Sequence, residues 1–536
     1  MKIVKIVLII LLILVLAFLV TWGVMHYLVW PRHEVINFVP GQPTVYIAAT
    51  GLEDTIWQVQ NSEFVQRVDR SSIWENAKDT GFGKQLMEQK ILFDNYWKSQ
   101  VSDDPLKLED VIKLVGKDAL LAVYKKDYGD EFLLVSAVGL LERFNITTGS
   151  TKKDLMEYYD FKPGEYRGLD LMTIPVGRLN FTYAFIDRIG LLSSSQSLLK
   201  EAIDLHIDRK KGLTENPDFK NLAKEMTDSR ISMYMNDPNI SQLAPSMDYA
   251  RSWLSWANQT PEGLRVNIRM EAGNVLKNMI VDDAEATDIK AISTPDKSLL
   301  SAKIGILKPH PVFDVINLVV GSGTESIKDR LNPVMENGVG FAVLSPDFQQ
   351  FQIFPPVLIY LKLKGGFENT LEDIRRNTYI RGKKLEFAEV THEDNRYYYT
   401  RIPVVMGMSI DVGYTVVEDN ILVMSIDRAS LKKAIELSKG MDTPLEESIY
   451  YKETFEPVAL SSDAGSAFVD IASLAAMTEQ GARLFAWQAR ISGDESSAHL
   501  ATMIQENVFI LEAWEYLGAT FGYEDNILDI KIILSK

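Results

Sequence analysis

Two stretches of the chain carry the same order of apolar and polar positions. Residues 183–205 alternate as one strand, pass a tight turn, form a second strand and then change to a helical period, with Leu199, Ala202, Ile203 and His206 at i, i+3, i+4 and i+7. Residues 414–437 repeat the sequence of events, with Leu431, Ala434, Ile435 and Ser438 in the corresponding helical positions. Each helix is predicted to pack one face inward, and Ser195 and Asp427 stand just before them as N-caps, whose oxygen accepts an otherwise orphaned backbone N–H.

The likeness extends on both sides in collinear order. Ile174-Pro-Val pairs with Ile402-Pro-Val, Leu205 with Leu437, Phe219 and Leu222 with Phe455 and Val458, Asn274-Val-Leu with Asn526-Ile-Leu, and Leu121-Ala-Val with Phe341-Ala-Val. Such order predicts two copies of one domain: a first repeat over 43–281, an acidic linker over 282–294 and a second repeat over 295–536. Each copy opens on a strand, at 44–49 and 299–304. Helices are expected at 152–159, at 244–258 with Trp253 and Trp256, and in a longer pair around 474–491 and 496–517. Closing hairpins are expected to join 264–270 to 275–281 and 520–523 to 527–534, with Gly or Asn in the turns. The expected class is α+β: an N-terminal transmembrane helix, then two tandem homologous domains of mainly antiparallel sheet with interspersed helices.

That leading helix comes from the 26 residues between Lys5 and Arg32, none of them charged. As a helix they would reach about 39 Å, enough for a hydrocarbon core of roughly 30 Å. Trp22, Tyr27 and Trp30 gather at its far end, where aromatic rings favour the headgroup region, and Pro31 stops the helix. Residues 1–31 thus read as a cytoplasmic tip and signal-anchor, 32–42 as a juxtamembrane linker, and residues 6–31 as the contact with a lipid bilayer. Lys2 and Lys5 before the segment place the N-terminus in the cytoplasm and the bulk outside it, as in a single-pass protein of a bacterial inner membrane.

Composition narrows the function more by exclusion. With 56 basic and 73 acidic residues the net charge is −17, which repels nucleic acid and anionic headgroups. The absence of cysteine removes disulfides, zinc-thiolate sites, iron–sulfur clusters and thiol nucleophiles. A large external region without disulfides fits a bacterial envelope better than a eukaryotic ectodomain.

Few residues suggest chemistry. Ser197 with Lys200, and Ser430 with Lys433, fit the Ser-x-x-Lys spacing in which a lysine one helical turn on activates a hydroxyl. The Ser-Asp-Asn and Lys-Thr-Gly companions are missing, so helix-start serines with solvated lysines are the plainer account. Asp282, Asp283, Glu285 and Asp288 are the candidates for a cation, without the glycine-bearing loop of an EF-hand. His392-Glu393-Asp394 reads as a polar turn and His206 as an edge-of-core histidine. The Gly-Ser-Gly-Thr run at 321–324 lacks the rest of a phosphate loop. No cofactor is implied.

The opening Pro40-Gly-Gln-Pro-Thr-Val-Tyr-Ile strand, the Leu114-Val-Gly-Lys-Asp-Ala-Leu-Leu-Ala-Val run, and Asn216-Pro-Asp-Phe ahead of Ile231-Ser-Met-Tyr-Met are packing and turn motifs. With the N-terminal segment, the chain resembles over most of 40–475 a family of membrane-anchored bacterial envelope proteins known only as a domain of unknown function. The resemblance implies an envelope location and transfers no catalytic residue. The expectation is therefore a membrane-anchored, extracytoplasmic binding or scaffold protein, in contact with an envelope protein or polymer. A carrier or sensor of a lipid or other apolar ligand is the alternative, and a Ser-x-x-Lys hydrolase the second.

Overall fold

A computed structural model describes residues 34–51, 54–55, 58, 61–71, 118–126, 129–138, 162–176, 179–226, 229–236, 250–260, 263–281, 286–287, 292–309, 325–346, 355–380, 383–403, 409–455 and 464–535. The chain divides into two compact units, one formed by 1–60 and 81–238, the other by 61–80 and 239–536.

The first unit is one antiparallel sheet. Its strands are β1 (Val45–Ala49), β2 (Asp118–Tyr124), β3 (Glu131–Ala137), β4 (Lys162–Tyr166), β5 (Leu169–Val176), β6 (Leu179–Ile186), β7 (Ile189–Ser193) and β8 (Ile231–Asn236). They lie in the order β8-β1-β2-β3-β7-β6-β5-β4. Helix α1 (Gln196–Ile207) follows β7, capped by Ser195, whose hydroxyl accepts from Leu198 N. It buries Leu199, Ala202 and Ile203, and the short α2 (Pro217–Leu222) adds Phe219 to a core with Phe38, Tyr46, Leu120, Leu133 and Tyr234.

The second unit holds β9 (Ala250–Thr260), β10 (Gly263–Ala272), β11 (Ser298–Ile304), β12 (Met335–Leu344), β13 (Val357–Leu363), the ribbon β14 (Tyr379–Ile380) with β15 (Lys383–Lys384), β16 (Ala388–His392), β17 (Asn395–Pro403), β18 (Ser409–Val417), β19 (Ile421–Ser425), β20 (Gly465–Asp470), β21 (Tyr516–Glu524) and β22 (Ile527–Ser535). Apart from the ribbon, these run antiparallel in the order β9-β10-β22-β21-β20-β11-β12-β13-β19-β18-β17-β16. Gly263 lets β10 lie against β22: a Cβ there would stand 1.9 Å from the Leu534 carbonyl oxygen. Helix α3 (Arg428–Ser438) covers one face of β13 and β19, with Leu431 and Ile435 against Leu358 and Val423. The helix Glu368–Asn377 covers the other, with Leu371 and Ile374 near Leu361 and Leu422. Strands buried on both faces need apolar residues at successive positions, which is why β13 and β19 read as continuous hydrophobic runs. Three further helices follow, α4 (Ile449–Phe455), α5 (Ile471–Ser492) and α6 (Glu495–Asn507).

The eight strands β20-β11-β12-β13-β19-β18-β17-β16 stand in the same order as β8-β1-β2-β3-β7-β6-β5-β4. The loops agree too: Leu213 N donates to Val39 O, as Leu445 N does to Thr294 O, and the Ser193 and Ser425 hydroxyls accept from Ser195 N and Asp427 N.

The expected class needs correction. The described residues are dominated by antiparallel strands, so this is chiefly a sheet protein rather than an α+β chain led by a transmembrane helix. That helix finds no support: no helix among the described residues is long and apolar enough to cross a membrane, and residues 1–31 lie outside them. The stretch expected to be helical at 244–258 contains strand β9, whose Ser252, Leu254 and Trp256 are buried at every second position. The first closing hairpin is consequently β9 with β10, and residues expected as its second strand form the helix Asn274–Met279. The second closes as expected, through Asp525 and Asn526 at φ 51° and 66°. Contacts place β9 and β10 with the second unit, ahead of the expected linker at 282–294. The helix expected at 152–159 lies outside the described residues.

Candidate functional site

The residues singled out in sequence are not brought together as catalytic pairs. Ser197 Oγ lies 2.8 Å from Ser195 Oγ, while the Lys200 ammonium sits over the Tyr166 ring, 5.1 Å from its centre. Ser430 Oγ donates to the capping carboxylate of Asp427 at 2.9 Å, and Lys433 binds Asp296 at 3.1 Å and Asp442 at 3.4 Å. Both serines serve helix starts. His206 stacks on Phe38 with ring centres 4.8 Å apart. His392 meets Glu436 at 2.7 Å, and the Glu393-Asp394 turn beyond it joins β16 to β17 with both residues at positive φ. No group of three metal-ligating side chains occurs among the described residues. Asp282, Asp283, Glu285 and Asp288, and the 321–324 run, lie outside them.

The polar chemistry that the fold does assemble was missed in sequence. Alternation along β11 points Leu299, Ser301 and Lys303 into the core of the second unit, with Lys303 only 7% exposed. Its ammonium meets Glu446 Oε1 at 2.7 Å, and Thr294 donates to the same carboxylate through its hydroxyl and, at 3.4 Å, its backbone N–H. Ser301 Oγ donates to Thr294 Oγ1 at 3.3 Å. Across the sheet, Lys303 pairs with Gly340 and Gly340 with Tyr360. A Cβ at Gly340 would approach Tyr360 Cβ to 2.9 Å, so the glycine makes room for the tyrosine. The Tyr360 hydroxyl is buried without a hydrogen-bond partner. Burial and, second, the Glu446 charge push its phenol far above the ordinary range. The cluster ties β11 to the loop before it and to the turn Leu445–Glu447. With the ammonium held by a carboxylate and Ser301 turned to Thr294, it is a clasp and presents no activated nucleophile.

The same register positions in the first unit carry no charge. Tyr46 and Ala48 stand on β1 where Ser301 and Lys303 stand on β11; Leu120 and Val135 pair where Gly340 and Tyr360 do, and Val39 replaces Thr294. Tyr46 stacks with Tyr234 at 5.7 Å and tilts against Phe219 at 6.0 Å.

A second feature is the hairpin of α5 and α6. Asp470 caps α5 by accepting from Ser473 N, Gly493 ends it at φ 74°, and Asp494 immediately caps α6 by accepting from Ser497 N. The Ser497 hydroxyl and neighbouring backbone N–H groups hold the Asp494 carboxyl below its usual range. Ala475, Ala482, Ala486 and Ala489 of α5 are buried, as are Ala498 and Ala501 of α6. The large apolar side chains lie outside: Leu484, Trp487 and Ile491 on α5, at i, i+3 and i+7, and Leu500 and Ile504 on α6, with Leu511 beyond it. Trp487 is 65% and Ile491 68% exposed, the reverse of an ordinary surface helix. At the hairpin base Arg67 donates to Phe509 O at 2.6 Å and to Glu512 at 3.0 Å. The sequence signal was present: alanines and large apolar residues fall on opposite arcs of α5.

No family model matches the chain, and no curated protein matches it. Among solved structures, crystal form I of TP0453 aligns with 54% of this chain and 86% of its own length, at 10% identity and a TM-score of 0.27. Crystal forms III and IV of TP0453 each align with 45% of this chain and 81% of their own, at 10% and 8% identity and TM-scores of 0.25. At such scores the function is read from the chain's own residues.

Proposed function

We propose that the protein is an extracytoplasmic envelope protein, attached to the bilayer through the uncharged stretch 6–31, that acts as a binding or scaffold subunit and not as an enzyme. The observation that carries this reading is the α5–α6 hairpin, with alanines inside and Leu484, Trp487, Ile491, Leu500 and Ile504 outside. Large apolar side chains exposed in this number mark an interaction site. Its occupant is a protein: the hairpin carries Glu479, Asp494, Glu495, Glu506 and Glu512 against Arg483 and Arg490, a balance that disfavours anionic lipid.

The cysteine-free chain offers a direct test. Ile491→Cys, in right-side-out membranes, should react slowly with a membrane-impermeant maleimide until the assembly is dispersed, whereas Glu524→Cys at the β21–β22 turn should react at once. Equal labelling of the two would refute the docking reading, and protection of both until the membrane is opened would refute the extracytoplasmic placement.

A second reading, carriage of a small apolar ligand, is favoured by a cavity of about 560 Å³ in the first unit, lined among the described residues by Leu169, Ile186, His206, Ile207 and Arg209. That volume lies within the ~300–1,000 Å³ of ligand pockets. A long-chain fatty acid that broadens NMR signals of Ile186 and Ile207, and fails to do so in Ile186→Trp, would support it; unchanged spectra would remove it.

A further inference from the structure

We propose that the buried face of β9, β10, β22 and β21 holds a binding site for a phosphate-type oxyanion, with Arg265 and Arg269 as its donors and Lys531 beside them. The site is independent of the α5–α6 hairpin.

The strand register builds it. Residues directly opposite in neighbouring strands point to the same side of a sheet. Lys303 faces Ser466, Ser466 faces Thr520, Thr520 faces Lys531, Lys531 faces Asn267 and Asn267 faces Trp256. The row that starts at the Lys303–Glu446 clasp therefore continues as polar residues across β20, β21, β22 and β10, and ends beside Trp256, itself 3% exposed. Buried polar groups need partners. Along the first part of the row they have them: Glu446 takes Lys303, and the Tyr451 hydroxyl of α4 lies 3.4 Å from Ser466 Oγ.

At β10 the matching stops. Arg265 and Arg269 flank Asn267 on the same face, each about 7 Å from it along the strand. Arg269 is 8% exposed, and its Nε and Nη1 are buried without a hydrogen-bond partner, as is Nε of Arg265. The carboxylate opposite, Asp529, comes to 3.8 Å from Arg269 Nε, an ion pair beyond hydrogen-bond reach. Glu271, next on that face, is engaged by Arg251 at 3.6 Å and by the Ser252 hydroxyl at 3.4 Å. Arg265, Arg269 and Lys531 thus outnumber the one carboxylate among them, in a chain whose net charge is −17.

These two features select the ligand class. Guanidinium N–H groups left over on two arginines call for an acceptor with several oxygens, and the positive bias of the row calls for a negative one. A water molecule meets the first need and not the second. A phosphate group meets both, and the planar fork of arginine matches its oxygens. Gly522, opposite Asp529 on β21, adds no side chain to the row, and the half-buried Arg265 and Asn258 leave it a way in from the other end.

The test uses the full-length chain in mild detergent, with inorganic phosphate as the probe and chloride at equal ionic strength as the reference. Phosphate should raise the thermal transition saturably, as a ligand of the folded state does. Arg265→Leu should weaken phosphate at least about tenfold, yet leave the phosphate-free transition unchanged or higher, because it deletes a buried donor that makes no hydrogen bond. Arg269→Lys, which keeps the charge and loses the fork, should also weaken it, whereas Arg483→Gln, an exposed arginine of α5, should not. Glycerol 3-phosphate acting as well as phosphate would support a site for the phosphoryl end of a larger ligand, and phosphate acting alone would support a site for the free ion. No saturable rise with either probe, or a rise that either Arg265→Leu or Arg269→Lys leaves intact, would overturn the proposal and mark the row as structural only.

Discussion

The first and second units place eight strands in one order, yet fill equivalent positions differently. Where Tyr46, Ala48, Leu120 and Val135 make an uncharged layer in the first, Ser301, Lys303, Gly340 and Tyr360 surround an ion pair in the second, completed by Glu446 and Thr294. Loop lengths diverge in the same direction. Thirteen residues separate β8 from β9, whereas 45 separate β20 from β21 and include the α5–α6 hairpin. A sheet order that tolerates both an aromatic stack and an ion pair is specified by pairing and caps. The buried ion pair and the exposed apolar helices stand in the second unit, and the cavity beside His206 in the first.

The largest expected contrast comes from one register position. Tyr46→Ala removes a fully buried ring and should destabilise the first unit by about 3–5 kcal/mol, whereas Ser301→Ala at the matching place should cost below about 1 kcal/mol. Denaturant titration followed by hydrogen exchange of β1 and β11 separates the two, and equal losses would break the comparison. Next comes the ion pair. Lys303→Ala strands Glu446 and should cost up to about 3 kcal/mol, moderated because the glutamate is partly exposed. Adding Glu446→Thr, which reproduces Ala48 and Thr214 of the first unit, should restore most of that stability. A double variant no better than the single would mean that the clasp is not a replaceable pair.

Smaller effects sharpen the same point. Tyr360→Phe deletes a buried hydroxyl that has no partner and should be neutral or stabilising by roughly 1 kcal/mol in thermal melts. A clear loss would reveal a bound water in the clasp. On β18, Asp411 lies between Arg401 at 2.9 Å and Arg428 at 2.7 Å. The Arg401 guanidinium, followed by Arg428, holds its carboxyl below the usual range. A carboxylate depressed in the folded state stabilises above its unfolded value near ~3.9, and that contribution fades as pH falls through the lower folded value. Asp411→Asn should therefore lower stability at neutral pH and flatten the acid limb of the stability curve in denaturant titrations, the difference from the parent chain shrinking as pH falls and the carboxyl protonates.

Much of this fold was legible. Period-two alternation followed by a helical period identified β6, β7 and α1 with their counterparts β18, β19 and α3, because short-range pattern and a capping oxygen decide such units locally. Strand β9 was misread since its two tryptophans invite a helical face, although burial at Ser252, Leu254 and Trp256 follows every second residue. The presence of α5 and α6 was legible, although the second, expected over 496–517, ends at Asn507 and gives way to a 3-10 turn and β21; their orientation was not, because both faces carry apolar residues, and only packing shows that close approach through alanine wins over burial of Trp487. Lys303 and Glu446 escaped because they are far apart in sequence and share no motif. Placing Lys303 opposite Ala48 in the two copies was the signal that would have found them.

The most direct test of the central claim, that the second unit works through the outer face of α5 and α6, is hydroxyl-radical footprinting of Trp487 in native membranes. The account predicts that Trp487 is oxidised several-fold more slowly there than in an Ile491→Glu, Ile504→Glu chain purified as a monomer. Oxidation at the same rate in both would mean that nothing covers the face, and would contradict it.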